Sequence, residues 1–233
     1  MFSLLPGILC SIGFTCLFFL DKNPHAFQLV SFNHSFDGCE INTGAYYQPI
    51  CASSNVAFLI SAFLIGNNSP LAILYSSVLV LLAWSSLYMH AFQYQSMGIA
   101  DADSMIVLFS LLVAFHAKRV LLTWAMLSTV SILVAKLAGF QWIVFRDQPV
   151  MYMPAIIPVQ AVLIFIYVLC SVCFITRSGW FTLSVLFASV GFLFKLLSLP
   201  HLGLCSSSSP FQAHAAFHVF TAMATYTLFH VHV

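Results

Sequence analysis

The near absence of charged residues constrains this chain more than any other feature of its sequence. Lysine, arginine, aspartate and glutamate together make up 6% of 233 residues, whereas hydrophobic residues make up 61%, and the mean hydropathy is +1.01. A soluble domain of this length needs far more charge to cover its surface. The composition therefore predicts a polytopic membrane protein without a separate soluble domain.

Long apolar runs, joined mostly by short polar segments, organise the chain. They exceed the roughly 9–11 residues of a membrane strand, so they predict helices. The runs lie near residues 2–20, 51–66, 70–94, 102–117, 119–141, 150–175, 179–199 and 211–229. We expect an all-α fold in which a seven-helix transmembrane domain over residues 50–233 follows a polar loop over 21–49. The apolar segment 1–20 fits an extra helix, a signal anchor or a segment lying on the bundle, and we favour a retained helix.

The acidic residues sort to one side of the predicted bundle. With helices counted from the 51–66 run, every carboxylate falls on the side of the 21–49 loop, whereas Lys118, Arg119 and Arg177 fall on the other. We expect the basic side to be cytoplasmic. The acidic side is then exoplasmic or lumenal, in the endoplasmic reticulum or Golgi of a eukaryotic cell. The formal net charge of +1 gives no basis for a nucleic-acid partner, and the sequence identifies no protein partner.

Five polar residues interrupt the apolar runs on the acidic side. Ser86 and His90 are four residues apart near the end of one run, and His214 and His218 are four apart near the start of the last. Asp101 is expected to open the helix that follows His90. Residues at i and i+4 share a helix face, and ionisable residues inside a membrane usually mark function. The sequence therefore predicts that all five converge.

Three imidazoles in this set suit a catalytic zinc centre. They fill three tetrahedral positions and leave the fourth for water or substrate. Asp101 is then the candidate to accept a proton from the attacking water, and Ser86 the candidate to donate a hydrogen bond to a developing oxyanion. A single H-x-x-x-H pair often only joins membrane helices, so the prediction rests on the co-facial set.

These residues, at this spacing, resemble the alkaline ceramidases, a family of the CREST superfamily of seven-helix transmembrane zinc hydrolases. The resemblance is carried by HAFQYQSMGIADADSM at 90–105, FQAHAAFHVFTAMATY at 211–226 and DGCEIN at 37–42. It implies hydrolysis of the amide bond of ceramide or a related lipid amide, which gives a sphingoid base and a fatty acid. It also implies a membrane lipid as the partner. By position, His90, His214 and His218 match the zinc ligands, and Ser86 and Asp101 match the catalytic pair.

The DGCEIN stretch implies a calcium site in the same family. Asp37, Glu40 and Asn42 would supply side chains and Gly38 a carbonyl, although the stretch alone fits a polar turn equally well. Gly38 stands where the family has tryptophan, and residues 49–53 lack an acid that the family carries there. Because calcium affinity follows ligand charge, the departure implies weaker or lost calcium binding.

The resemblance also implies a disulfide between Cys39 and Cys205, which would place the acidic side in an oxidising compartment. Lys136 and Lys195, by contrast, are interpreted from their positions near helix ends as side chains that extend toward water.

Three other functions fit parts of the pattern. A seven-helix zinc receptor of the progestin and adiponectin receptor class would share the core, but short loops and the DGCEIN motif favour the ceramidase interpretation. A transporter or proton relay would need polar residues at successive depths, and the polar set clusters on one side. A scaffold with purely structural zinc is disfavoured by the open fourth position.

Overall fold

A computed structural model describes residues 48–66, 68–92, 95–117, 120–137, 162–168, 179–198, 209 and 211–232. The predictions for segment 1–20, for most of the 21–49 loop, and for the calcium and disulfide residues fall outside these ranges. The residues concerned are Asp37, Gly38, Cys39, Glu40, Asn42 and Cys205.

Every regular element in the described ranges is a helix, which confirms the all-α prediction for that part of the chain. The helices are α1 (Pro49–Ser54), α2 (Val56–Ile65), α3 (Pro70–Phe92), α4 (Gln95–Ala114), α5 (Val120–Leu137), α6 (Gly179–Leu197) and α7 (Ala213–His232). Residues 162–168 are also helical. Asn55 between α1 and α2 has helical torsions, φ −66° and ψ −14°, so these two helices follow each other almost without a break.

Local sequence explains where α2 ends and α3 begins. Gly66 ends α2 with φ at 72°, a torsion that glycine adopts at little steric cost. The hydroxyl of Ser69 accepts a hydrogen bond from the Ala72 N–H at 3.1 Å and so caps α3. Pro70 follows as the first residue of α3, where the missing N–H costs nothing.

The start of α4 corrects one sequence prediction. We expected Asp101 to open the helix that follows His90, but α4 already begins at Gln95 and Asp101 lies in its second turn. Hydropathy indicates which residues face an apolar environment. The first turns of α4 contain polar residues, so the apolar run begins later than the helix does. Asp101 is therefore held by regular helix on both sides.

The core is formed where α2, α3, α4 and α7 meet. Most of α3 is buried, and its apolar residues pack against those neighbours. α3 runs antiparallel to α7: the Tyr75 hydroxyl donates to the Thr225 carbonyl at 2.8 Å, while His90 lies beside His214 at the other end. Ser61 of α2 donates to the Ala222 carbonyl at 3.1 Å. This arrangement brings the end of α3 to the start of α7.

α6 packs closely along α7, also in antiparallel fashion. A Cβ added at Gly191 would come within 3.3 Å of side-chain atoms of Phe220 and Thr221, so the absence of a side chain permits the close approach. Near the other end of α6, Ser184 donates to the Thr227 hydroxyl at 2.7 Å. One turn beyond Gly191, Lys195 therefore faces the start of α7.

The outer faces of α5 and α6 are apolar and exposed. Met126 is 60% exposed and Phe192 is 62% exposed, within continuous rows of similar residues. Large exposed apolar faces promote association in water but suit lipid. Two of the described helices, α3 and α6, are long and apolar enough to cross a membrane.

Candidate metal centre

Three buried histidines meet where α3 ends and α7 begins. His90 comes from the last turn of α3, and His214 and His218 come from the first two turns of α7. One ligand nitrogen from each ring lies within 4.8 Å of the other two, and each of the three residues is at most 4% exposed. The ring centroids are 4.6 to 4.9 Å apart. The structure thus brings together the three histidines that the sequence singled out.

Gln48 orients His90. Its side-chain Oε1 lies 2.5 Å from His90 Nδ1, and its backbone N–H donates to the His90 carbonyl at 3.1 Å. An amide oxygen only accepts, so Nδ1 carries the proton and Nε2 keeps a free lone pair. Gln48 precedes α1, and it is 2% exposed. Gln48 therefore joins the start of α1 to the end of α3 and fixes the tautomer of His90.

Ser54 and the Cys51 carbonyl orient His218. The Ser54 hydroxyl donates its one proton to the Cys51 carbonyl at 2.6 Å, so it can only accept from His218 Nδ1, which lies 2.8 Å away. The same Nδ1 lies 3.3 Å from the Cys51 carbonyl. His218 thus also holds its proton on Nδ1, which leaves Nε2 for a metal.

His214 has a different neighbour. Lys195 Nζ lies 3.2 Å from His214 Nδ1 and 5.5 Å from the centroid of the Phe217 ring. An ammonium only donates, so this contact makes Nδ1 the acceptor and puts the proton on Nε2. A metal bound through Nε2 needs the opposite tautomer. His214 can therefore accept a hydrogen bond from Lys195 at Nδ1 or bind a metal through Nε2, but it cannot do both at once.

The donor set as a whole fits a transition metal. Imidazole suits zinc, copper, iron and nickel, and hydrogen bonds that hold Nδ1 are the usual support for a histidine that binds metal through Nε2. Two of the three rings have this support from Gln48 and Ser54. The third ring, His214, can present Nε2 to a metal only when Lys195 has another partner.

Ser86 and Asp101 are both buried beside this end of the bundle. Ser86 is 4% exposed and lies one turn before His90, and Asp101 is 9% exposed in the second turn of α4. A hydrogen bond of 3.0 Å between the hydroxyls of Ser85 and Ser104 joins the two helices at this level. Ser104 also donates to the Asp101 carbonyl at 2.7 Å. The turns that carry Ser86 and Asp101 are therefore neighbours.

Three residues that contact the histidines were not predicted to do so. Gln48 and Ser54 are ordinary polar residues at the start of the first helix of the predicted bundle, and no spacing linked them to His90 or His218. Lys195 was expected to extend toward water, but its Nζ lies against His214. Lys195 comes four residues after Gly191 and so shares a face of α6 with it. A small residue on that face is the one signal that could have indicated that Lys195 points inward.

A second group of histidines lies at the far end of α7. His232 stacks on Phe115 and packs edge-on against His116, with centroids 4.9 and 5.0 Å apart. The Tyr167 hydroxyl lies 3.2 Å from His232 Nε2. Burial lowers the pKa of His116 from its ordinary value, which favours its neutral form. Among the described residues, only the group of His90, His214 and His218 has the three converging ligands of a metal centre.

No family model matches this chain, and no curated protein matches it.

Proposed function

We propose that this protein is a zinc-dependent membrane hydrolase that cleaves the amide bond of ceramide or a related lipid amide. The observation that carries the proposal is the convergence of His90, His214 and His218 with ligand nitrogens within 4.8 Å of one another. Buried Ser86 and Asp101 lie in neighbouring turns of α3 and α4 at the same end of the bundle, and the motifs at 90–105 and 211–226 resemble those of the alkaline ceramidases. Together these features favour a hydrolase over a structural metal site.

In this proposal the histidines hold the metal and two further side chains handle protons. Zinc, when bound, lowers the pKa of water to about 7 and so supplies a nucleophile at neutral pH. Asp101 accepts the proton of the attacking water, and Ser86 donates a hydrogen bond to the substrate carbonyl oxygen as its negative charge grows. The water oxygen bonds to the acyl carbon, the C–N bond breaks, and the proton held by Asp101 goes to the leaving amine.

The membrane setting suits a lipid substrate. We propose that residues 50–233 form seven spanning helices, with the metal centre near one membrane surface, because His90 ends α3 and His214 begins α7. Acyl chains can then lie in lipid beside the apolar faces of α5 and α6, while the amide reaches the histidines. Calcium at Asp37, Gly38, Glu40 and Asn42 and the Cys39–Cys205 disulfide belong to the same proposal and rest on the resemblance alone.

Metal analysis combined with lipid mass spectrometry tests the proposal. Purified protein should hold about one zinc per chain, the number that a single three-histidine site binds, and should release sphingoid base and fatty acid from ceramide. His214→Ala should lose both zinc and cleavage. Asp101→Ala should keep most of the zinc but lose about 10²-fold or more in kcat, the usual effect of removing a general base. Zinc-free wild-type protein, or normal turnover by Asp101→Ala, would refute the model.

One observation favours a transporter as the competing function. α7 carries polar residues at successive depths, from His214 and His218 through Thr225 and Thr227 to His230 and His232. Thr225 and Thr227 donate to carbonyls one turn earlier, at 2.8 and 2.9 Å, which satisfies them within the helix and leaves no continuous chain of exchangeable donors. Proton or zinc flux into vesicles that is abolished by both His218→Ala and His232→Ala would favour transport.

A further inference from the structure

Lys195 places a positive charge beside the candidate metal centre. Its Nζ lies 3.2 Å from His214 Nδ1, and the His214 ring packs against His90 and His218 with centroids 4.9 and 4.6 Å apart. Lys195 lies in the last turn of α6, at the same end of the bundle as the first turn of α7. The close approach of α6 to α7 at Gly191 holds it there.

This charge has no carboxylate partner within the described part of the chain. The only carboxylates there are Asp101 and Asp103, both on α4, and Lys195 forms no ion pair with either. The contacts it makes are with His214 and with the face of Phe217. An ammonium that is partly withdrawn from water without an anion is costly.

Metal binding would add further positive charge near Lys195. A divalent cation on three neutral imidazoles would lie close to the ammonium, and His214 would have to give up the Nδ1 acceptor that it now offers Lys195. The ammonium would then need another acceptor within the same pocket. An anionic group on the substrate would supply that acceptor and would balance the charge of Lys195 directly.

We propose that Lys195 binds a carboxylate or phosphate on the polar side of the scissile amide. The preferred substrates are then anionic lipid amides, such as N-acyl amino acids or phosphorylated ceramides, rather than neutral ceramide. The inference rests on the proposed hydrolase function and names its substrate class. The position of Lys195 at the helix ends matches a headgroup near the membrane surface, with the acyl chain extending toward the apolar interior.

Two matched lipid pairs test the proposal with full-length, zinc-loaded protein. N-oleoylglycine is compared with neutral N-oleoylethanolamine, and ceramide 1-phosphate is compared with ceramide. We expect wild-type kcat/KM to be at least about tenfold higher for the anionic member of one pair, mainly through KM, as for a partly buried ion pair. Lys195→Gln should abolish that preference, and Lys195→Arg, which keeps the charge, should retain it. The pair that shows the preference identifies carboxylate or phosphate as the ligand.

A binding measurement separates this inference from the proposed function. Asp101→Ala protein is titrated with the same four lipids in nanodiscs, and the anionic member of one pair should bind about tenfold more tightly. Anion preference in this titration, together with no cleavage of any of the four lipids by the wild-type protein, would support Lys195 recognition and refute the hydrolase. Cleavage by the wild-type protein at equal efficiency for both members of both pairs would do the reverse.

Other outcomes also decide the matter. If Lys195→Gln lowers kcat equally on neutral and anionic lipids and leaves the ratio of their kcat/KM values unchanged, Lys195 acts in the reaction and not in anion recognition. That result overturns the proposal. If Lys195→Gln does not fold, the lipid pairs still test the proposal. Equal wild-type kcat/KM and equal binding to Asp101→Ala for both members of both pairs would contradict an anion site.

Discussion

At the scale of single residues, the candidate metal centre depends on which nitrogen of each histidine faces the other two rings. Gln48 and Ser54 accept hydrogen bonds from Nδ1 of His90 and His218. These contacts leave Nε2 free to bind a metal and prevent the rings from turning. Such supporting groups are worth about 10- to 100-fold in metal affinity.

Ser54→Ala tests this support with a neighbouring serine as its control. The variant should weaken zinc binding by about tenfold, the lower end of the usual range, because the Cys51 carbonyl still accepts from His218. Ser53→Ala removes an exposed hydroxyl that donates only to the Ile50 carbonyl, so its zinc affinity should be unchanged. The measurement is competition with a zinc chelator, and equal affinities in the two variants would show that Ser54 does not support His218.

Acid should release the metal. Protons compete with zinc for the imidazole nitrogens of His90, His214 and His218, so zinc affinity is highest when the rings are neutral and falls as the pH decreases. Zinc retention after dialysis at a series of pH values from 8 to 5 checks this. Retention that does not change with pH would argue against a centre built from three histidines.

The sequence could predict the three ligands but not the groups that orient them. His90, His214 and His218 stand out because ionisable residues are rare in apolar runs and because their spacings share a face. Gln48 and Ser54 reach the site only because α1 packs against both α3 and α7, a tertiary contact that no local pattern encodes. The direction of Lys195 likewise depends on how closely α6 approaches α7.

At the scale of helices, the geometry of the site depends on the packing of α6 against α7. Gly191 lies where α6 and α7 are in close contact, and the turn that follows it carries Lys195. A bulky residue at this position has to push the helices apart. The histidines on α3 and α7 should move less than Lys195, because other contacts hold those two helices together.

Gly191→Leu should therefore destabilise the protein, whereas Gly179→Leu should not. Overpacking of this kind costs about 1–3 kcal/mol, and it should lower the thermal midpoint in detergent. A Cβ at Gly179 meets no atom within 4 Å, so that variant is the matched control. Similar thermal midpoints for the two variants would contradict a tight α6–α7 contact.

Sequence patterns placed the helices well and their ends less well. Most apolar runs correspond to described helices, and Gly66 and Pro70 mark a true boundary. The start of α4 was misplaced because the segment from Gln95 to Ala100 is less apolar than the run it precedes, although it is equally helical. Hydropathy reports the surroundings of a residue, whereas hydrogen bonding decides where a helix begins.

At the scale of the whole molecule, the proposed topology puts the metal centre on the side of the membrane opposite Lys118, Arg119 and Arg177. The seven spanning helices proposed above would place residues 142–149 and 200–210 on the side of His90 and His214. The same topology would put residues 118–119 and 176–178 on the other side. The exposed apolar faces of α5 and α6 agree with lipid around the bundle.

Epitope tags inserted at these positions should report that topology. Tags within 142–149 and within 200–210 should be protected in cells permeabilised only at the plasma membrane, if the site faces a lumen. Tags at 118 and at 177 should be accessible. A tag at 118 that shares its accessibility with a tag at 205 would contradict seven spanning helices.

X-ray absorption at the zinc edge tests the central claim most directly. The account predicts about one zinc per wild-type chain, with three imidazole nitrogens at about 2.0–2.1 Å and an oxygen as the remaining ligand. His90→Ala, His214→Ala and His218→Ala should each lose the zinc or one imidazole from its shell. A wild-type protein without zinc, or a zinc shell unchanged in all three variants, would contradict the account.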